Sequence, residues 1–303
     1  RQMCIRDRNF YRGTGVALVT PFNEKGEIDE ISLRQLVREV IQGGVDYLVA
    51  LGTTSEAATL TEAERLQVLT IILEENQGRL PVMVGIGGNN TAEVLKNIRN
   101  FPFVKECCAV LSVTPYYNKP SQEGLYRHFK TLSESSPLPV FLYNVPGRTG
   151  VNMSAQTVVR LAQDCPGIVG VKEASGNFEQ ATEILKYKRK DFAVVSGDDG
   201  LILPLMSIGM SGVISVAANV CPAEFSTLVR LANEGNFGAA VEIHLRLSDL
   251  CKALFIEGNP TGIKAALQVK GTIRSNCLRL PLVEASEGLC RHLKALLQEL
   301  KSV

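Results

Sequence analysis

The chain has no tryptophan, only three histidines and almost no net charge, with 32 Lys+Arg against 31 Asp+Glu in 303 residues. The scattered histidines form no cluster, and the eight cysteines, Cys107-Cys108 included, show neither C-x-x-C nor metal-ligand spacing, so a sequence-local metal site is not expected. They read as reduced thiols of a cytosolic protein. Without a basic stripe, a nucleic-acid partner is disfavoured. No apolar stretch reaches the roughly 20 residues of a membrane-spanning helix and none resembles a signal peptide, so no membrane partner is expected. Gly85-Ile86-Gly87-Gly88-Asn89 is the one Gly-rich candidate for a phosphate loop. It lacks the GxGxxG spacing of a dinucleotide site.

What is present is apolar: 45% hydrophobic residues against 21% charged, the composition of a globular protein with ample core. Residues 1–8, RQMCIRDR, are basic, aperiodic and without an initiating Met. They read as a non-native leader, with the native start expected near Asn9 to Arg12.

From Val16 onward, short strand-type runs alternate with amphipathic helical patterns. The runs lie near Val16–Thr20, Tyr47–Leu51, Val82–Ile86, Ala109–Val113, Val140–Tyr143, Ile168–Lys172, Ala193–Ser196 and Gly212–Ser215. Helical patterns between them include Glu30–Gln42, Glu62–Asn76, Thr91–Asn100, Gln122–Ser133 and Ala155–Gln163. This alternation predicts an α/β fold, a (β/α)8 TIM barrel over residues 9–233, with an open doubly wound sheet as the alternative. Residues 234–303 read as helices only, near Phe237–Leu254, Thr261–Val269 and Val283–Leu300. These predict a C-terminal helical appendage packed on the barrel or on a partner subunit.

A barrel of this kind assembles its site from the carboxyl ends of its strands. The sixth run ends in Lys172, an amine delivered to a strand end where desolvation favours a Schiff-base nucleophile; alternatively, the lysine snorkels to solvent. The second run ends in Gly52-Thr53-Thr54-Ser55-Glu56, hydroxyls and amides that suit the carboxylate of a small 2-oxo acid or simply cap a helix. The fourth leads into Tyr116 and Tyr117, phenols that also serve as packing anchors. The fifth ends in Tyr143, able to pass a proton, with Arg148 beyond it to grip a second carboxylate. Asp198-Asp199 follows the seventh run, but lacks the further ligands that a metal needs. The eighth contributes the backbone around Ile214 as a pocket floor.

GTTSE (Gly52–Glu56), TPYYNKP (Thr114–Pro120), YNVPGRTG (Tyr143–Gly150), GVKEASG (Gly170–Gly176) and SGDDG (Ser196–Gly200) together resemble the dihydrodipicolinate synthase family, within the N-acetylneuraminate lyase superfamily. The likeness covers nearly the whole chain after residue 9. GTTSE with a barrel lysine is shared across the superfamily, whereas YYNKP with PGRTG is more selective.

The resemblance implies an enzyme that joins pyruvate to L-aspartate 4-semialdehyde through a lysine Schiff base, without metal or organic cofactor. It assigns Lys172 as nucleophile, Tyr143, Thr53 and Tyr117 as a proton relay, Thr54 and Ile214 as pyruvate ligands, and Arg148 as the acceptor's carboxylate ligand. It implies a homodimer or homotetramer in which the phenol at Tyr117 enters the neighbouring site. Ala58, Asn89, Glu93 and Tyr116 match a feedback site for L-lysine, although Glu62 and Arg65 stand where lysine-sensitive relatives have histidines. Two other readings stay open: a sibling aldolase acting on a keto-deoxy sugar acid or sialic acid, and a non-catalytic protein that binds a keto acid.

Overall fold

The computed structural model describes residues 11–301, so the leader expected at 1–8 lies outside the described residues. Eight parallel strands close a barrel in which each pairs with the next and the last with the first. In order they are β1 (Gly13–Ala17), β2 (Tyr47–Ala50), β3 (Val82–Gly85), β4 (Ala109–Val113), β5 (Val140–Asn144), β6 (Ile168–Glu173), β7 (Ala193–Ser196) and β8 (Gly212–Ser215). Between them run α1 (Glu30–Gln42), α2 (Glu62–Asn76), α3 (Thr91–Arg99), α4 (Gln122–Ser135), the single turn α5 (Pro146–Thr149), α6 (Ala155–Asp164), α7 (Phe178–Tyr187) and α8 (Ile202–Ser207). After β8 come α9 (Pro222–Asn233), α10 (Phe237–Ala253), α11 (Thr261–Lys270) and α12 (Glu287–Lys301).

Local chemistry sets the helix starts. Asp29 caps α1 through the Ser32 amide, and its buried Leu33, Leu36, Val37 and Val40 recur at helical spacing. Thr61 and Glu64 form a reciprocal capping box on α2. α12 begins four residues later than its apolar pattern suggests, because Ser286 caps it through the Leu289 amide; Val283 instead stays exposed on the preceding loop.

β1 also differs from its apolar run, starting at Gly13 and ending at Ala17. The reason is close approach: a Cβ on Gly15 would stand 2.2 Å from the Tyr47 ring, and one on Gly212 2.0 Å from the Gly13 carbonyl oxygen. The strand therefore begins on residues with no apolar side chain to signal it.

Two cores result. Ala17, Tyr47, Val49, Met83, Ala109, Leu111, Phe141, Val195 and Ile214 fill the barrel interior, while Val16, Leu48, Val84, Val110 and Leu142 face outward onto the helices. This alternation along each strand means that residues destined for the pocket must sit at inward positions near the strand ends.

Candidate active site

The placement of Lys172 depends on one irregularity. Val140 pairs with Ile168, but Phe141 pairs with Gly170, so one extra residue of β6 is accommodated and Tyr143 comes opposite Lys172. A one-residue shift exchanges the faces of a strand; without it Tyr143 would oppose Val171. Gly170 permits the shift, since a Cβ there would lie 2.3 Å from the Phe141 ring. Lys172 is 5% exposed, and its Nζ stands 4.4 Å from the centroid of the Tyr143 ring. It forms no salt bridge with any described carboxylate, unlike the other buried lysine, Lys264. Gly197 leaves room for the aliphatic stem: a Cβ there would be 2.8 Å from Lys172 Cε.

The outward-facing partners of this pair lock the register. Asn144 lies opposite Glu173 and donates to both carboxylate oxygens at 3.0 and 3.2 Å. Gln180 and the Ser175 amide donate to the same carboxylate at 3.0 and 2.7 Å, and Asn144 also donates to Asn152 at 2.8 Å. A buried carboxylate satisfied by several donors is rigid, so the strand ends bearing Tyr143 and Lys172 are held side by side.

The loop after β2 contains Thr53 and Thr54 in a 3-10 turn. Thr53 is exposed and Thr54 buried, and the Thr54 hydroxyl accepts from Asn259 Nδ2 at 3.0 Å. Arg148, on the turn of α5, donates to the backbone oxygen of the same Asn259 at 3.2 Å. Ile214 faces into the barrel. Just past it, Asp199 Oδ2 accepts from the amides of Val216 and Ala217 at 3.0 and 2.9 Å, while Asp198 accepts from Gly200 at 2.9 Å. The two aspartates thus brace separate backbone segments. Burial raises the Asp199 carboxyl above its ordinary value.

Tyr117 lies on the loop after β4, at the same end of the barrel. It is 88% exposed at a positive φ of 72°, and its amide donates to the Thr149 carbonyl at 3.4 Å. Leu51, Glu56 and Lys119 are also at positive φ, as is Gln77 at the end of α2, so among the described residues most of the non-glycine backbone strain lies on the loops after β2 and β4. Two pairs are thus joined at the carboxyl ends of the strands, Lys172 with Tyr143 and Thr54 with Arg148 through Asn259, while Ile214 lines the barrel interior on β8 and no contact among the described residues ties the exposed Tyr117 phenol to either pair. Of the residues matched to a lysine site, Asn89 donates to the Tyr116 carbonyl at 3.1 Å. Ala58 and Glu93 are exposed on neighbouring segments, Glu93 lying 3.9 Å from Lys96.

Sequence reasoning missed Asn259, Lys264 and the ion pair that Glu56, read only as the end of GTTSE, makes with Lys264. Lys264 is fully buried in α11 and forms a very short ion pair with Glu56 Oε1; Glu56 Oε2 also accepts from the Arg279 amide at 3.1 Å. The available signal was a lysine inside the otherwise small and apolar stretch Ile263-Lys264-Ala265-Ala266-Leu267, where a charge demands a partner.

The model of the dihydrodipicolinate synthetase family matches residues 11–300. A 4-hydroxy-tetrahydrodipicolinate synthase from Porphyromonas gingivalis is 52% identical over 282 residues, covering 93% of this chain and 95% of that protein. The crystal structure of the chloride-inhibited dihydrodipicolinate synthase (DHDPS) from Acinetobacter baumannii, complexed with pyruvate, superposes with a TM-score of 0.91 at 38% identity, covering 96% of this chain and 99% of that one. That of DHDPS from Cyanidioschyzon merolae with lysine bound gives 0.92 at 38% identity, covering 97% and 100%. With the family pattern spanning the barrel and the terminal helices alike, the chain belongs to the dihydrodipicolinate synthetase family.

Proposed function

We propose that the chain condenses pyruvate with L-aspartate 4-semialdehyde to give 4-hydroxy-tetrahydrodipicolinate, the first committed step of the diaminopimelate route to lysine. The observation that supports this most directly is a buried lysine amine at a barrel strand end, set against a tyrosine ring and unpaired with any described carboxylate. Lys172 attacks the keto carbon of pyruvate, and loss of water leaves an imine. The imine draws electrons from the methyl carbon, which loses a proton to become an enamine. That carbon bonds to the aldehyde carbon of the second substrate, whose oxygen takes a proton to become the 4-hydroxyl. The acceptor's amine then attacks the imine carbon, closing the ring and expelling Lys172. One water leaves overall, and no oxidant or reductant is needed.

Tyr143 serves as proton donor and acceptor in this scheme, with Thr53 linking it to Tyr117 of a neighbouring subunit. The exposure of Tyr117 on one chain is consistent with a phenol that completes a second chain's site in a homodimer or homotetramer. Thr54 and the backbone at Ile214 receive the pyruvate carboxylate, and Arg148 receives that of the acceptor, a second carboxylate that a sugar-acid aldolase would not present there. Ala58, Asn89, Glu93 and Tyr116 form the site for feedback by L-lysine, supported by the bond between Asn89 and the Tyr116 backbone.

The test is NADPH oxidation with pyruvate, L-aspartate 4-semialdehyde and excess dihydrodipicolinate reductase. Activity in the wild type and none in Lys172→Ala is expected; inactivity of the wild type would sink the assignment. Borohydride trapping with pyruvate would then distinguish a sibling aldolase, which forms the adduct, from a protein that forms none. Mixing Tyr117→Phe with Lys172→Ala subunits should restore part of the activity, and lysine at about millimolar concentration should inhibit the wild type but not Glu93→Ala.

A further inference from the structure

We infer that Asn259, on the loop between α10 and α11, is a positioning residue that aims the Thr54 hydroxyl proton into the pocket and joins Thr54 to Arg148. The inference rests on the reading that these two residues receive the substrate carboxylates.

A hydroxyl has one proton to donate and two lone pairs. At Thr54, which is 3% exposed, Asn259 Nδ2 occupies a lone pair at 3.0 Å, and no other hydrogen bond to this hydroxyl forms among the described residues. The proton is therefore left for an acceptor, and a carboxylate entering the mouth is one. The backbone oxygen of Asn259 accepts from Arg148 Nη2 at 3.2 Å, so a single residue orients a donor for each substrate. Asn259 Oδ1 is buried without a partner, leaving an acceptor open until a donor arrives in the occupied site.

The loop is well suited to this task because its surroundings are rigid. Gly262 packs so closely that a Cβ would stand 2.2 Å from the Leu254 carbonyl oxygen. Two residues further on, Lys264 pins α11 to Glu56, itself two residues after Thr54. An amide at position 259 is thereby held at a fixed distance from the loop it serves.

The experiment measures adduct formation with pyruvate alone, by borohydride trapping and mass spectrometry over a range of pyruvate concentrations. Asn259→Ala is made in the wild type and in Thr54→Val. In the wild type it should raise the half-saturating pyruvate concentration about tenfold, the scale of one hydrogen bond. In Thr54→Val it should raise it no further, because the hydroxyl through which it acts is gone. An equal effect in both backgrounds, or none in either, overturns the inference. Asn259→Asp conserves volume and serves if the alanine variant fails to fold. Its carboxylate can only accept, so it takes the Thr54 proton and weakens pyruvate binding more than alanine does; wild-type affinity in that variant would equally overturn the inference. A wild type that forms no adduct overturns the reading of the site and this inference with it. An adduct in the wild type with unshifted variants overturns the inference alone.

Discussion

Two lysines are buried around the same mouth of the barrel and meet opposite surroundings. Lys264, fully buried in α11, faces the Glu56 carboxylate, the Cys277 carbonyl at 2.9 Å and the Phe22 ring at 4.1 Å from its centroid. Lys172, on β6, faces a tyrosine ring and the space above the strand ends. The first amine is fully engaged and ties the terminal helices to the loop after β2. The second keeps its nitrogen available for a covalent bond. Burial alone therefore does not mark a reactive lysine; what decides is whether the surrounding groups have already used its donors.

Removing each amine should separate the two roles. Lys172→Ala should lower turnover by at least about 10³-fold, the scale of losing a nucleophile, with the thermal midpoint little changed. A large loss of stability instead would make Lys172 a second Lys264. Lys264→Met should cost about 3–5 kcal/mol in denaturant unfolding, because Glu56 is left buried and uncompensated. Adding Glu56→Gln should recover most of that loss, and failure of the double variant to do so would show that the ion pair is not the source.

Smaller changes probe the space and charge around each amine. Gly197→Ala places a methyl group 2.8 Å from Lys172 Cε and 2.6 Å from Ala174 Cβ. It should slow turnover by about 10²-fold through displacement of the nucleophile, an effect that steady-state kinetics would read and that unchanged turnover would contradict. Glu56→Gln leaves Lys264 without its counter-charge. Burial already pulls that ammonium below the ordinary lysine value, against the opposing effect of Glu56, and the variant should fall further. The unfolded chain then holds the proton more tightly than the folded one, so stability should rise with pH toward the ordinary lysine pKa of about 10.4, by at most about 1.4 kcal/mol per pH unit. Denaturant midpoints at neutral and alkaline pH, compared with wild type, would test the slope and its sign.

Much of this arrangement is legible in the chain alone. The alternation of strand and helix patterns is visible because each element has one periodic apolar face, and α1 and α2 have the bounds that their patterns predict. Lys172 and Tyr143 stand out as polar residues ending apolar runs. β1 was misplaced because glycine encodes close backbone approach without hydrophobicity, and α12 because the cap at Ser286 outweighed an apolar residue at Val283. Asn259 was invisible for a different reason: an Asn-Pro step in a loop has no periodicity, and its partner Thr54 lies 205 residues away.

Local periodicity and short contiguous motifs suffice to specify the α/β barrel class, the family likeness and the chemically capable side chains. Which of those side chains come into contact depends instead on how distant segments pack. The shift between β5 and β6 turns Lys172 toward Tyr143, and the return of the α10–α11 loop brings Asn259 to Thr54 and Arg148. Both depend on strand register and long-range packing, which arise from the simultaneous fit of many side chains and are written in no single segment.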